Sequence, residues 1–379
     1  MNSTTNKSTN QTKALHVVSF DVPYPPNYGG VIDVFYKIKA LSELGIKIYL
    51  HTFEYGRGEQ IELEKYCEEV FYYPRKSFWK SFLSSTPFIV KSREHHLLEK
   101  RLDEAKFPIL FEGLHSVSFF KNQSKVDVQT LVRMHNIEHD YYHGLAESER
   151  NLFKKIFFKL EAIKLKKHQE VLFKCSHVLT ISPLEQTYFS ELFGTKCHYI
   201  PVFSDTHFSD LKPPKDFVLW HGDLRVSDNV KSALWAIEIV KNTNHNLIIA
   251  SNTKEEEVFR ACKQLNNVTF NDLNTECELD SLMASANVNL LFTFQVTGIK
   301  LKLLNTLVKS RFIIANEKII KQTGLEALCI EGNTTLEIKK QLDFYMSLPF
   351  SDEERIARKE ALKIFDTKTN AQKIMDLLC

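Results

Sequence analysis

The 379-residue sequence has no long hydrophobic run, and this absence limits where the chain can work. No segment reaches the roughly 18 uninterrupted apolar residues that a membrane-spanning helix needs. The first 14 residues are almost all Ser, Thr, Asn, Gln and Lys. They lack the apolar core of a secretory signal and are typical of a disordered tail. We therefore expect a cytoplasmic protein without a membrane span.

Cysteine is also scarce, and several chemical motifs are missing. The seven cysteines are an odd number and form no C-x-x-C pair, so neither a disulfide framework nor a zinc site is expected. There is no P-loop, no G-x-G-x-x-G and no D-x-D, the carboxylate spacing with which a metal can hold a diphosphate. The net charge of +2 gives no reason to expect a nucleic-acid partner. We predict no bound metal.

What is present is an alternation of short apolar runs with longer amphipathic stretches. This pattern predicts parallel strands with helices on both faces of the sheet, an α/β fold. The predicted strands of the first half are Leu15–Phe20, Lys47–Phe53, Phe107–Phe111, Gln129–Arg133, His177–Ile181 and His198–Val202. Those of the second half are Phe217–His221, Leu247–Ala250, Val268–Phe270, Val288–Phe292, Phe312–Ala315 and Leu328–Ile330.

The pattern restarts after Pro201, which indicates two doubly wound domains of comparable size. We predict an N-terminal domain over 15–203, a polar linker over 204–216 and a C-terminal domain over 217–350. Helices over 351–379 are expected to pack back on the first domain. Ligands of such sheets bind at the carboxyl ends of the strands, so the cleft shared by the two domains is the expected site.

The segment from Phe292 to Asn305 joins a predicted strand to a predicted helix. Thr297 stands where a helix cap would, and Gly298 would let a ligand approach the backbone. The free N–H groups at a helix start favour an anion, and Lys300 and Lys302 add positive charge. These features suit a diphosphate. An ordinary capped helix with solvated lysines explains the same spacing.

The run Thr297-Gly-Ile-Lys-Leu-Lys-Leu-Leu resembles the donor segment G-[ST]-G-x-K-x-K-x-x-E-A of glycosyltransferase family four and its GT-B relatives. The resemblance implies two Rossmann-like domains facing a cleft and a nucleotide-diphosphate sugar as donor. It implies that Gly298 and Lys300 bind the diphosphate of the donor. The carboxylates that the family uses fall at Asn305, where the ribose is held, and at Thr297, so both are missing here. Asn305 would be an uncharged ribose partner.

The loop from Asp21 to Gly30 is rich in proline and ends in two glycines. It resembles the N-terminal loop of the same family, which implies that Gly29 and Gly30 let the backbone approach the acceptor and the donor phosphate. A dinucleotide-binding loop with Glu54 as ribose carboxylate is the rival, weakened by the missing glycine motif. A turn that needs positive φ at one of the glycines is a third interpretation.

The segment from Arg133 to Tyr142 is similar to the family's R-x-H-N-x-E-x-x-Y-Y. The resemblance places His135 near the reacting sugar, so His135 is the predicted catalytic residue. We expect Glu138 in the same segment, and Glu112 at the end of the preceding strand, on the acceptor side. A histidine with satisfied hydrogen bonds at a strand end is the alternative.

In the segment from His221 to Lys231, Gly222 matches a glycine of the family. Arg225 and Lys231 are candidates to neutralise the donor diphosphate, an Arg–phosphate contact being charge-assisted and bidentate. Otherwise they are surface charges.

A basic helix is predicted over Arg150–Lys167, which holds seven Lys or Arg and one Glu. Its apolar residues are Phe153, Ile156, Phe157, Leu160 and Ile163. The favoured interpretation is a helix packed on the core with a solvated basic face. Attraction to an anionic membrane surface is the alternative, also indicated by the bases and aromatics of Arg75–Leu83.

These features lead to one functional hypothesis with two rivals. The resemblance implies a retaining glycosyltransferase that moves a hexose from a nucleotide sugar to the hydroxyl of a glycan or lipid-linked acceptor, with no bound cofactor. It would work in the cytoplasm, in peripheral contact with the inner face of the membrane when the acceptor is lipid-linked. The rivals are another GT-B enzyme, such as a sugar-nucleotide epimerase, and a weakened sugar-nucleotide-binding protein.

Overall fold

The chain folds around two parallel β-sheets in a computed structural model that describes residues 14–77, 84–121, 127–149, 151–294 and 301–378. The first sheet has the strand order β3-β2-β1-β4-β5-β6-β7. Its strands are β1 Ala14–Ser19, β2 Lys47–Glu54, β3 Glu69–Pro74, β4 Ile109–Glu112, β5 Thr130–Met134, β6 His177–Thr180 and β7 Cys197–Tyr199. All of its pairings are parallel.

The second sheet has the order β10-β9-β8-β11-β12-β13, again with parallel pairings. Its strands are β8 Lys215–His221, β9 Leu247–Ser251, β10 Val268–Asp272, β11 Ala286–Leu291, β12 Phe312–Ala315 and β13 Ile330–Glu331. In both sheets the order reverses beside the first strand, between β1 and β4 and between β8 and β11. The carboxyl ends of these strands are the topological switch points at which ligands of such folds bind.

Helices connect most of the strands. The α-helices of the first half are α1 Gly29–Glu43, α2 Phe88–Lys91, α3 His96–Asp103, α4 Glu138–Ser148, α5 Leu152–His168 and α6 Pro183–Phe193. Those of the second half are α7 Ser227–Val240, α8 Glu256–Lys263, α9 Glu276–Ser285, α10 Leu301–Lys309, α11 Glu317–Ile320, α12 Thr335–Tyr345, α13 Asp352–Ala361 and α14 Thr367–Leu377. Short 3₁₀ helices are Ile61–Lys65, Leu114–Lys121, Gln169–Lys174, Gly194–Lys196, Glu326–Leu328 and Leu362–Phe365.

Both faces of the first sheet are buried, as the predicted α/β class requires. Along β1, Val18 belongs to the apolar core on one face and Val17 to the core on the other. Phe111 and Leu110 divide in the same way along β4. This alternation explains why the strands read as continuous apolar runs. The predicted fold class of two doubly wound sheets is confirmed.

Strand bounds shift by a few residues from the sequence predictions, and one strand was missed. Strand β3 (Glu69–Pro74) was not predicted, because it begins with a charged residue, ends in proline and lies at the sheet edge. Strand β8 begins at Lys215, two residues earlier than predicted, inside the stretch taken as linker.

The two C-terminal helices pack on different parts of the molecule. We call the part of the chain around the first sheet the first unit, and the part around the second sheet the second unit. Ala371 and Ile374 of α14 lie in the core beside α1 of the first unit. Helix α13 instead contacts α10, and Arg358 donates to the carbonyl oxygens of Ser310 and Arg311. The expectation that both helices return to the first domain was therefore wrong for α13, whose buried guanidinium finds its acceptors on the second unit.

The basic helix packs on the core as expected, through Ala162 and Leu165, but the predicted apolar stripe was the wrong face. Helix α5 buries Glu161, Ala162 and Leu165, while Phe153 and Ile163 point into solvent. The stripe taken for core is thus exposed, because α4 covers a different side of the helix. Within the described ranges, no helix combines the length and apolarity that crossing a membrane requires.

Candidate functional site

The first part of the site is a buried charge cluster beneath the end of β4. Helix α1 turns Asp33 and Lys37 inward, one helical turn apart, and the Lys37 ammonium lies 2.8 Å from Asp33 Oδ2. The same ammonium lies 2.8 Å from Oε1 of Glu112, the last residue of β4. All three side chains are buried. The ammonium thus bridges two carboxylates at a topological switch point.

Arg133 on β5 completes the cluster and joins it to the chain that leaves the first sheet. Its Nη2 donates to Asp33 Oδ1 at 2.8 Å and to the carbonyl oxygen of Pro201 at 3.0 Å. Its Nη1 donates to the carbonyl oxygen of Ile200 at 2.5 Å. The amide of Phe203 donates to Asp33 at 2.8 Å. The Arg133–Asp33 ion pair therefore holds residues 200–203, where the chain leaves the first sheet for the second.

His135 follows β5 and lies at the edge of this cluster. Its Nε2 is 3.0 Å from Glu112 Oε2, and its ring meets the ring of Phe20 edge-on at 5.4 Å. Gly113 has φ +70°, and a Cβ there would lie 2.8 Å from His115, so glycine lets the two histidines approach the strand end. The structure therefore brings predicted residues His135 and Glu112 into direct contact.

The charges of the cluster compensate one another. Burial alone would raise the pKa of Asp33, but Arg133 and Lys37 outweigh it and hold that pKa far below its ordinary value. Asp33, Glu112 and His135 each also offer one ligand atom, within 4.8 Å of one another, in an arrangement that could hold a metal ion. Lys37 and Arg133 already neutralise both carboxylates, so a cation would have to compete with them. The predicted absence of a metal stays a prediction.

Glu138 opens α4 and is buried near His115, whose Nδ1 lies 3.9 Å from Glu138 Oε1. Burial raises the pKa of Glu138 to about 7 and lowers the pKa of His115 well below its ordinary value. At neutral pH this carboxyl exchanges its proton readily, which suits a proton donor or acceptor.

The two glycines of the N-terminal loop form the first turn of α1. Neither has a positive φ, so the interpretation as a turn that needs one was wrong. A Cβ on Gly30 would lie 2.4 Å from the Phe20 ring, whereas nothing lies within 4 Å of one on Gly29. Tyr28 precedes the helix without a side-chain cap. The amides at Gly29 therefore begin a helix beside open space, where an anion is favoured.

The second part of the site surrounds Lys302 on α10. Its ammonium donates to the carbonyl oxygen of His221, at the end of β8, and lies 4.8 Å from the centre of the Trp220 ring. Burial lowers its pKa to about 7. Among the ion pairs between described residues, none includes Lys302. The Asp228 carboxylate raises the pKa of Lys302, but less than burial lowers it, so this ammonium is less well compensated than that of Lys37.

Asp228 holds the chain that leads toward the predicted donor segment. It accepts from the Thr293 hydroxyl at 2.8 Å and from the Phe294 amide at 3.0 Å. Thr297, Gly298 and Lys300 lie outside the described residues, so their predicted roles stay predictions. Asn305 is described and lies partly buried on α10.

The remaining donor candidates lie at the surface. The Arg225 side chain is 73% exposed and paired with Asp223, its Nη2 lying 2.6 Å from Oδ2. Lys231 is exposed on α7. Gly222 matters for packing, since a Cβ there would lie 2.9 Å from the Trp220 ring. Arg225 can serve a phosphate only if it gives up part of its contact with Asp223.

A small cavity of about 40 Å³ lies between the two units, and none of the site residues named above line it. Its walls include Ser182, Tyr199 and Val202 from the first unit and Leu303, Ile319 and Gln322 from the second. Most of the exposed lining is apolar, so it offers little to a charged donor.

Asp33 and Lys37 were not predicted from the sequence, and Arg133 and Asp228 had no predicted role. The signal for the first two was present, because they are charged residues at positions of α1 that face the sheet. Charges at such positions are rare unless they are paired.

Comparisons with known proteins bear mainly on the fold. No protein-family model matches the chain. A Klebsiella pneumoniae protein, described as an uncharacterized 44.6 kDa protein in the cps region, is 27% identical over 351 residues, 86% of this chain and 90% of that protein. A variant of S. aureus TarM, solved with fondaparinux, α-GlcNAc-glycerol and UDP, has a TM-score of 0.68 at 10% identity, over 97% of this chain and 99% of that chain.

The chain has the GT-B fold. Anabaena HepE with UDP and glucose is a further structural neighbour, with a TM-score of 0.64 at 13% identity, over 97% of this chain and 99% of that one. The N-terminal domain of a Candida albicans trehalose-6-phosphate phosphatase gives 0.67 at 12% identity, over 97% of each chain. One fold thus carries differently named activities, and at these identities the likeness supports the architecture alone.

Proposed function

We propose that this protein is a glycosyltransferase that uses a nucleotide-diphosphate sugar as donor. The observation that carries the proposal is the Lys302 ammonium, which is partly buried at the switch point of the second sheet and forms no ion pair with the residues that the structure describes. A diphosphate would supply an anionic partner. Phosphate charge that develops as the donor breaks is stabilised by such a preorganised cation.

The first unit would present the acceptor and complete the reaction site. The contact between His135 and Glu112 holds the imidazole in one orientation, beside the reacting sugar in this proposal. Glu138, with its pKa near 7, would accept or return the proton of an acceptor hydroxyl. The open helix start at Gly29 would receive a donor phosphate or a sugar hydroxyl. Thr297, Gly298, Lys300 and Asn305 keep their predicted donor roles.

The finer part of the proposal is a hexose, transferred with retention to a glycan or lipid-linked hydroxyl. It rests on the resemblance to glycosyltransferase family four. The TarM and HepE structures contain UDP, which makes UDP-sugars the first donors to test. The place of the curated relative in a cps region agrees with a glycan acceptor. A cytoplasmic enzyme with a lipid-linked acceptor would also contact the inner face of the membrane.

A donor screen tests the proposal. The protein is incubated with UDP-, GDP- and ADP-sugars, and donor binding, nucleotide release and the recovered sugar are measured. We expect one donor class to bind and to release nucleotide in the presence of acceptor. An epimerised donor without transfer would favour the epimerase, and binding without turnover would favour the weakened binding protein. If no donor binds, the transferase proposal fails.

A further inference from the structure

Helix α5 presents large apolar side chains to solvent along most of its length. Phe153 is 86% exposed, Leu152 is 72% exposed and Ile163 is 65% exposed, and Ile156 and Leu160 are exposed as well. We call these five residues the apolar stripe. Side chains of this size rarely stand together in the open on a soluble surface unless they meet a partner.

The stripe is a second apolar face of the helix, separate from the face that packs on the core. At about 100° per residue, its five residues fall within an arc of about 100° around the helix. The buried residues Glu161, Ala162 and Leu165 lie on the other side, where α5 packs along α4. The helix therefore has one face for the protein and one face left uncovered.

Positive charge borders the stripe. The helix Leu152–His168 contains six lysines and a single acidic residue, Glu161. Glu161 is buried and already accepts from the amide of Phe88 and from Lys164. No carboxylate at the surface of the helix therefore offsets the exposed lysines beside the stripe, which include Lys159 and Lys167.

The surface continues beside the C-terminal half of the helix. A groove there is lined by Ile163, Lys166 and Lys167 of α5 together with Phe173 and Leu192, both of them exposed. Its lining is largely apolar and includes two lysines and one carboxylate, that of Glu170.

We propose that the apolar stripe and its lysines form a docking surface for a bilayer that contains anionic phospholipid. Apolar side chains would enter the boundary between headgroups and acyl chains, while the lysines contact lipid phosphates. A second copy of the chain fits less well, because a two-fold contact through the stripe would bring the two sets of lysines against each other.

The apolar stripe lies on a helix that packs close to the candidate site. Helix α4, on which α5 packs, begins at Glu138, three residues after His135. Docking would therefore hold the strand ends of the first unit near the bilayer. The inference goes beyond the proposed reaction and does not depend on it, since it concerns the free protein without donor or acceptor.

The test is flotation of the full-length protein with two kinds of vesicle, one of phosphatidylcholine alone and one of phosphatidylcholine and phosphatidylglycerol in equal parts. The double variant Phe153→Ser with Ile156→Ser removes two residues of the stripe. Its matched control, Phe344→Ser with Ile356→Ser, removes exposed side chains of the same types from α12 and α13. A charge variant, Lys159→Gln with Lys167→Gln, is compared with Lys340→Gln and Lys368→Gln. Circular dichroism verifies that each variant is folded.

We expect the wild-type chain to float with the anionic vesicles and not with phosphatidylcholine alone. Both α5 variants should reduce the bound fraction by on the order of tenfold, while both controls bind like wild type. Salt should weaken binding of the wild-type chain. The inference is overturned if the wild-type chain ignores the anionic vesicles or if the stripe variant binds as well as its control. A dimer that the stripe variant dissociates, without vesicle binding, also overturns it in favour of a second copy.

Discussion

The two parts of the site treat buried charge in opposite ways. In the first unit Lys37 and Arg133 meet Asp33 and Glu112, so each buried charge has its partner within the protein. In the second unit the Lys302 ammonium rests against a carbonyl oxygen and an aromatic ring, and burial lowers its pKa to about 7. The first arrangement is complete without a ligand, whereas the second gains most when a ligand brings negative charge.

This difference separates residues that build the site from residues that bind at it. Breaking a compensated cluster should cost folding stability, because the partner stays buried and unpaired. Removing a poorly compensated ammonium should cost ligand affinity and leave stability intact or improved. Substitutions of Arg133, Glu138, Lys302 and Arg225 test that division.

The largest effect is expected from Arg133→Met. It removes one of the two cations paired with the Asp33 carboxylate and the contacts to the carbonyl oxygens of Ile200 and Pro201. We expect the free energy of unfolding, measured by urea denaturation, to fall by about 3–5 kcal/mol. The control, Arg225→Met, breaks the exposed pair with Asp223 and should cost less than about 1 kcal/mol. If both variants lost the same free energy of unfolding, the distinction between the buried cluster and an exposed ion pair would be contradicted.

Glu138→Gln should change how stability depends on pH. Burial raises the pKa of Glu138 from 4.5 to about 7 in the folded protein. Between these values the unfolded chain loses the proton and the folded chain keeps it, so stability falls as the pH rises through this window. The loss is about 3 kcal/mol by pH 8. The variant should thus match wild type near pH 4 and exceed it at pH 8 in urea denaturation. Parallel pH profiles of the two proteins would refute the assignment.

Lys302→Gln should weaken donor binding by about 10- to 100-fold, the contribution of a hydrogen bond to a charged group. Isothermal titration calorimetry with the donor found in the screen measures this. The control is Lys309→Gln on the same helix, whose ammonium is already paired with Asp280 at 2.7 Å. Its donor affinity should equal that of wild type. The account is contradicted if Lys302→Gln keeps full affinity.

Arg225→Gln and Lys231→Gln should have the smallest effects on donor affinity, below about tenfold. Both residues are exposed, and solvent screens their charges. The same calorimetric titration applies. A loss larger than that of Lys302→Gln would show that Arg225 exchanges Asp223 for the donor phosphate, and would reverse the ranking.

The sequence was sufficient for the fold because each strand carries its own apolar pattern. Runs such as Leu15–Phe20 need no distant residue to be recognised, and their burial on both faces agrees with the observed sheets. Strand β3 escaped because an edge strand tolerates charge and proline. Local pattern thus suffices wherever burial alone determines structure.

The site could be predicted only in part, because its contacts join residues far apart in the chain. The family-like segment around His135 was visible, but its contact with Glu112 spans 23 positions and that of Arg133 with Asp33 spans 100. No local pattern records such a pair. The lowered pKa of Lys302 likewise depends on burial beside β8, which its neighbours in sequence do not reveal. The exposed stripe of α5 was misjudged for the same reason, since composition does not say which face a neighbour covers.

Proton uptake during donor binding tests the central claim most directly. Because burial lowers the pKa of Lys302 to about 7, most of its amines carry no proton at pH 8. A bound diphosphate should favour the protonated form and so cause proton uptake. Calorimetric titrations of the donor in two buffers of different ionisation enthalpy measure the protons taken up. We predict uptake of about one proton per bound donor in the wild-type chain and none in Lys302→Gln. Donor binding with equal proton uptake in both proteins would contradict the account.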